Sequence, residues 1–153
     1  MTHEEKVNHF LSVKNIAFTG FSRDGNLPAN INYKKMKQAG YNVFAVNPAV
    51  KEVDGEKCYQ SLEEIPDSID AVFVGVPAHQ SIELAKACKK ANVNQLWLHQ
   101  SIVQGSYSED AVQFCEENGI EVISQGCPMM YIQPVDIVHR CFRWIMKSRG
   151  KFK

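Results

Sequence analysis

The sequence predicts a three-layer α/β/α fold built on one doubly wound, mainly parallel sheet of five strands. Three observations carry this reading. Short apolar runs alternate with longer amphipathic stretches along the whole chain. The runs are apolar at successive positions rather than at every second one, which is the pattern of strands covered on both faces. Glycine or asparagine then stands where each amphipathic stretch should close on a left-handed residue. Right-handed crossovers turn this order into a Rossmann-like sheet, in which a ligand lies at the carboxyl ends of the strands.

Each element follows from local pattern. Residues 2–12 read as an N-terminal helix. The five strands fall at 16–20, 41–46, 70–76, 94–99 and 120–124, all rich in Val, Ile and aromatics. Helices are expected at 29–39, 78–91 and 108–118, with Ile82, Leu84, Ala85 and Cys88 on one face of the second. Gly40, Asn92 and Gly119 close them. The stretch 47–69 is irregular: it holds Asn47-Pro48, Asp54-Gly55 and Ile65-Pro66, a short apolar run near 57–59, and one helical turn at 61–64, where Ser61 and Glu64 have capping-box spacing. A last helix spans 133–148, with Val135, Val138, Phe142 and Ile145 forming an apolar stripe.

Composition bounds the functional class. The 153 residues, 44% hydrophobic and 22% charged, describe one globular domain spanning 1–153, large enough to bury its own core without metals or disulfides. No apolar run approaches the ~20 residues of a membrane-spanning helix, and the first residues lack the apolar core of a signal peptide, so a cytoplasmic location is expected. Cys58, Cys88, Cys115, Cys127 and Cys141 form no C-x2-C pair, which argues against zinc and for reduced thiols. Six of the seventeen basic residues and none of the seventeen acids lie in 139–153 (Arg140, Arg143, Lys147, Arg149, Lys151, Lys153), leaving −6 on residues 1–138. Trp144 among those cations suits a membrane surface or nucleic acid, but a helix packing its stripe onto the sheet needs neither, and neither partner is expected. A protein partner stays open.

The strand-to-helix loops carry the chemistry. After the first strand comes Thr19-Gly20-Phe21-Ser22-Arg23, where Gly20 permits a tight turn, backbone amides and the Ser22 hydroxyl can face a diphosphate, and Arg23 adds a cation of matching geometry. The loop is neither G-x-G-x-x-G nor a Walker A sequence, and a plain turn is the competing reading. The second strand ends in Asn47-Pro48 without the acid that holds a nicotinamide ribose, which argues against NAD; Lys51 can attract a ribose phosphate or can be a solvated lysine. Val76-Pro77, then His99-Gln100-Ser101, then Gly126-Cys127 end the remaining strands, the last with a thiol at the ligand-facing end.

Taken in order, Gly-x-Ser-Arg, Val-Asn-Pro, Val-Pro, Trp-x-x-Gln and Gly-Cys-Pro, spanning about residues 14–130, resemble the small stand-alone CoA-binding proteins. They are similar also to the CoA-binding domain of the succinyl-CoA synthetase alpha subunit and of ADP-forming acyl-CoA synthetases. The resemblance implies that Thr19, Gly20, Phe21 and Ser22 form the turn for the diphosphate of CoA. It implies that Asn47, Pro48 and Lys51 lie near the 3′-phosphate or adenine, and that Val76 and Pro77 touch adenine or pantetheine. His99, Gln100 and Ser101 occupy the loop where relatives carry Gln-Gly or Glu-Gly, so Ser101 is a departure. The synthetases phosphorylate a histidine in a second domain, for which this sequence has no counterpart. The resemblance therefore implies binding of CoA or an acyl-CoA rather than catalysis.

Structural roles explain most other candidates. His3, His9 and His79 read as surface or capping residues, His139 as part of the tail helix, and His99 as the histidine best placed for function. The pairs Glu4-Glu5, Glu63-Glu64 and Glu116-Glu117 point apart on a helix and make no acid–base couple. Trp97 reads as core. Two rivals to CoA binding remain: a small nicotinamide- or thiol-dependent redox protein using Cys127, and an interaction module with a vestigial nucleotide site.

Overall fold

The computed structural model describes residues 1–101 and 105–152; the tail cation Lys153 lies outside them. The helices are α1 (His3–Ser12), α2 (Pro28–Gln38), α3 (Ser81–Lys90), α4 (Glu109–Glu117) and α5 (Ile137–Ser148). The strands are β1 (Asn15–Thr19), β2 (Asn42–Val46), β3 (Glu52–Val53), β4 (Glu56–Tyr59), β5 (Ala71–Val74), β6 (Gln95–Leu98) and β7 (Glu121–Ile123). They form one sheet of seven strands in the order β3-β4-β2-β1-β5-β6-β7, parallel except for the β3–β4 pair.

The expected sheet of five strands is therefore corrected to seven. The two additions are β4, beside β2, and the edge strand β3, joined by the two-residue turn Asp54-Gly55, both at positive φ (51° and 79°). That dipeptide is a strong hairpin signal, but the flanking Glu52, Glu56 and Lys57 hide the strands in a polar stretch. Leu62–Glu64 form a 3-10 turn without a Ser61 side-chain cap. Glu64 instead accepts a hydrogen bond from Gln60 N at 3.0 Å, so the capping box at Ser61 does not form.

Burial on both faces alternates along the central strands. Ile16 and Phe18 of β1, Phe73 of β5 and Trp97 of β6 pack with Val7 and Phe10 of α1 and with Ala29, Tyr33 and Met36 of α2. Ala17, Val72, Val74, Leu96 and Leu98 point the other way, onto Ala85 and Cys88 of α3 and Ala111 and Cys115 of α4. This is the two-faced core of a doubly wound sheet. Helix α1 opens on a capping box, with Glu5 N donating to Thr2 Oγ1 and Thr2 N to Glu5 Oε2 at 2.6 Å. Gly40, Asn92 and Gly119 all stand at positive φ after α2, α3 and α4.

The tail departs from expectation. Helix α5 begins at Ile137, because the Asp136 carboxylate caps it by accepting from His139 N at 2.9 Å. Phe142 and Met146 face inward, onto Cys127 and Met130, whereas Val138, assigned to the apolar stripe, is exposed with Ile137 and Trp144. His3 is buried rather than on the surface: its Nε2 lies 3.0 Å from Tyr131 Oη and its ring stacks on Phe152. No helix among the described residues is long and apolar enough to cross a membrane.

Candidate functional site

The chain leaves β1 for α2 on one face and β5 for α3 on the other, so a crevice opens between the two loops at the carboxyl ends of the central strands. Its floor is a close backbone approach. Gly20 stands at φ 85°, and a Cβ there would lie 2.6 Å from both Gly75 C and Gly75 O. A Cβ on Gly75 would meet Ala29 Cβ at 2.9 Å. Gly75 N donates to Thr19 O at 3.0 Å, and the buried Thr19 hydroxyl donates to Phe73 O at 3.0 Å. Thr19 and Gly20 thus join the two strand ends.

The Ser22 turn is set by a residue the sequence reading passed over. Asn30, fully buried on α2, accepts from Ser22 N at 3.0 Å and donates to Ser22 O at 2.7 Å. The Ser22 amide is therefore occupied and does not face a diphosphate, which corrects part of the expected cradle. Its hydroxyl accepts from Asp24 N at 3.2 Å and keeps its own proton to donate. Arg23 is exposed on the same turn. Leu27 precedes α2 without a side-chain cap and Pro28 opens it, so the Ala29 and Asn30 amides lie in the first turn, where no intrahelical acceptor exists. The turn at Gly25 approaches Lys34 Nζ and Asp54 Oδ2, which would lie 3.8 and 3.9 Å from a Cβ at that position. Lys34 is thus a second cation near this loop.

Phe21 and Asn47 hold loops together. Phe21 is buried against Tyr33, with ring centroids 4.8 Å apart, so its side chain is core. Its carbonyl accepts from Asn47 Nδ2 at 2.6 Å, while Asn47 Oδ1 accepts from Ala49 N at 2.8 Å. Pro48 and Lys51 are exposed beyond them, and Lys51 O accepts from Cys58 N at the base of the β3–β4 hairpin.

Within the crevice lies a cavity of about 270 Å³, bounded by Leu27 and Pro28 before and in α2, by Gly75, Val76, Pro77 and Ala78 after β5, and by His99, Gly105 and Ser106 after β6. His99 is 6% exposed, and its Nδ1 is enclosed with no hydrogen-bond partner among the described residues. Burial, with a smaller contribution from the charge of His139, lowers its pKa from 6.5 to about 4, so the ring is neutral at pH 7. Ser106, absent from the sequence reading, donates its hydroxyl to Val76 O at 2.6 Å and its amide to His99 O, and accepts from the Ser81 hydroxyl. Its role depends on partners distant in sequence, which no local motif announces.

Gln100, Ser101, Gly126 and Cys127 do not line this cavity. Gly126 O accepts from Trp97 Nε1 and Gln100 N. The Gln100 side chain lies against Gly105, where a Cβ would collide with Gln100 Oε1. Ser101 O accepts from Gln100 Nε2 at 3.4 Å. The Cys127 thiol is enclosed, donates to Asn32 Oδ1 at 3.4 Å, and is pushed up to about 11 by burial. The expected thiol at the ligand-facing end is thus a protonated core group. A larger hollow of about 530 Å³ lies along α5 between Arg140, Arg143, Trp144 and Lys147, outside the strand-end loops. No cluster among the described residues can hold a metal ion.

Known proteins are similar to this chain in fold and sequence. A solved hypothetical protein from Pyrococcus horikoshii OT3 superposes with a TM-score of 0.76 at 30% identity, covering 84% of this chain and 88% of that one. The uncharacterized protein YneT of Bacillus subtilis is 32% identical over 114 residues, 74% of this chain and 82% of YneT. An ADP-forming acetate–CoA ligase of Archaeoglobus fulgidus is 25% identical over 120 residues, of which this chain covers only 18% of the ligase's length. The model of a CoA binding domain matches residues 14–133, so the chain belongs to the CoA binding domain family.

Proposed function

We propose that this chain binds coenzyme A or an acyl-CoA at the carboxyl ends of its parallel strands and catalyses no reaction by itself. One observation carries the reading: the cavity after β5 and β6 reaches Leu27 and Pro28 at the uncapped start of α2, the helix that the Ser22-Arg23 loop leads into. A diphosphate at that point meets a hydroxyl proton, a guanidinium and the positive end of the helix, while the cavity beyond takes an uncharged arm. The relatives named as acetate–CoA ligases use CoA, and family membership supports the same ligand here. Among the described residues that line the cavity, none is assigned a catalytic role in this reading. The enclosed, protonated Cys127 and an Asn47 used between loops give the redox and nicotinamide alternatives no footing.

Calorimetry on Ser22→Ala and Arg23→Ala tests this. Neither change touches the Asn30 clamp, which holds only Ser22 backbone atoms, so both variants fold. Loss of a charge-assisted contact weakens CoA by about tenfold in Arg23→Ala and by less in Ser22→Ala. Unchanged affinity in both removes this loop from the site.

A further inference from the structure

The cavity has walls of one kind. Leu27 and Pro28 face Val76, Pro77 and Ala78, and none of its described lining residues is an acid, a lysine or an arginine. Its polar side chains are Ser106, whose proton goes to Val76 O, and His99. The His99 ring is more than nine-tenths buried, makes no hydrogen bond to any described residue, and leaves Nδ1 enclosed without a partner. An unpaired buried polar group is destabilising, and His99 can meet a ligand through the part of its ring that lines the cavity. A neutral imidazole offers one donor and one acceptor, which complements an amide or carbonyl and brings no positive charge to a carboxylate.

We infer that this cavity selects the end of the ligand: it admits the thiol arm or a short aliphatic acyl thioester, with His99 hydrogen-bonding an amide or carbonyl of that arm, and rejects an acyl group ending in a carboxylate. The inference rests on the CoA-binding reading. A terminal carboxylate placed among Leu27, Pro28, Val76 and Pro77 loses its hydration, and no cation among the described lining residues replaces it. A methyl-ended chain gains by the same burial. At about 270 Å³ the cavity fits an arm rather than a whole nucleotide.

Three ligands on the whole chain test this by calorimetry: CoA, butyryl-CoA and succinyl-CoA, the last two matched in carbon count and differing in the terminal carboxylate. The expected result is butyryl-CoA binding at least as tightly as CoA, and succinyl-CoA weaker than butyryl-CoA by about tenfold or more. Equal affinity for the two acyl ligands, with CoA still bound, overturns the selection alone. No binding of CoA overturns the binding reading beneath it. His99→Phe keeps the ring and removes both nitrogens, and weakens CoA by about five- to tenfold; undiminished CoA affinity overturns the role of His99. Melting curves check that variant, and His99→Ala, which cannot overfill the site, replaces it if it does not fold.

Discussion

Acid should destabilise this fold through His99, and the size of the effect follows from its burial. The unfolded chain takes up a proton on this ring near pH 6.5, the native fold only near pH 4, chiefly because burial disfavours the charged ring. Between those values the unfolded state binds more protons, so stability present above pH 6.5 is lost as pH falls towards 4. The full difference is about 3 kcal/mol, of which about 2 kcal/mol is gone by pH 5. In a domain of this length that lowers the melting temperature by about 4–8 °C. Burial lowers the pKa of His3 as well, and carboxylates add their own response, so the measurement is a comparison. Wild type and His99→Phe are melted without ligand at pH 7 and pH 5. The wild type should lose more than the variant by about that interval, since Phe at this position stays beside Phe73 and carries no proton. Equal losses in the two proteins would refute the claim that a neutral, enclosed His99 is part of the native state.

Three other outcomes follow from the same geometry. Gly20→Ala should cost about 3 kcal/mol or more in urea denaturation, because a left-handed residue is forced onto Gly75 backbone atoms. Gly40→Ala, at φ 95° with nothing within 4 Å of the new Cβ, should cost only about 1–2 kcal/mol, and equal losses would contradict the close approach. Asn30→Ala should lower stability by about 2 kcal/mol and weaken CoA, since it removes both hydrogen bonds that shape the Ser22 turn; a stable variant with wild-type affinity would show that the turn needs no clamp. Thiol titration with Ellman's reagent should give one fast group, Cys141, and release Cys58, Cys88, Cys115 and Cys127 only in denaturant; rapid reaction at Cys127 would contradict its enclosure.

The central strands were legible because Ile16 and Phe18 meet one apolar layer and Ala17 the other, which makes the run apolar at every position. Strands β3 and β4 escaped notice because Glu52, Glu56 and Lys57 break the apolar run and make it read as a loop, although Asp54-Gly55 marked the turn between them. Asp136, a cap three residues inside the expected start of the last helix, set where α5 begins. At the site, Gly20, Val76, Pro77 and His99 were visible because a loop after a strand needs small or fixed backbone and few polar groups. Asn30 and Ser106 were not, since each acts through partners that only the folded chain brings near. Cys127 was misplaced because position after a strand does not say which way a side chain turns, and here it turns to Asn32.

The uncapped start of α2 and the adjoining cavity are the proposed receptor for a CoA ligand. Calorimetry of the purified chain against CoA, 3′-dephospho-CoA, NAD and NADP tests it most directly. The expected result is binding of CoA, weaker binding of dephospho-CoA through loss of a phosphate that Lys34, Lys51 or Arg23 can meet, and none of either nicotinamide dinucleotide. Preference for NAD or NADP, or silence from all four ligands, would contradict it.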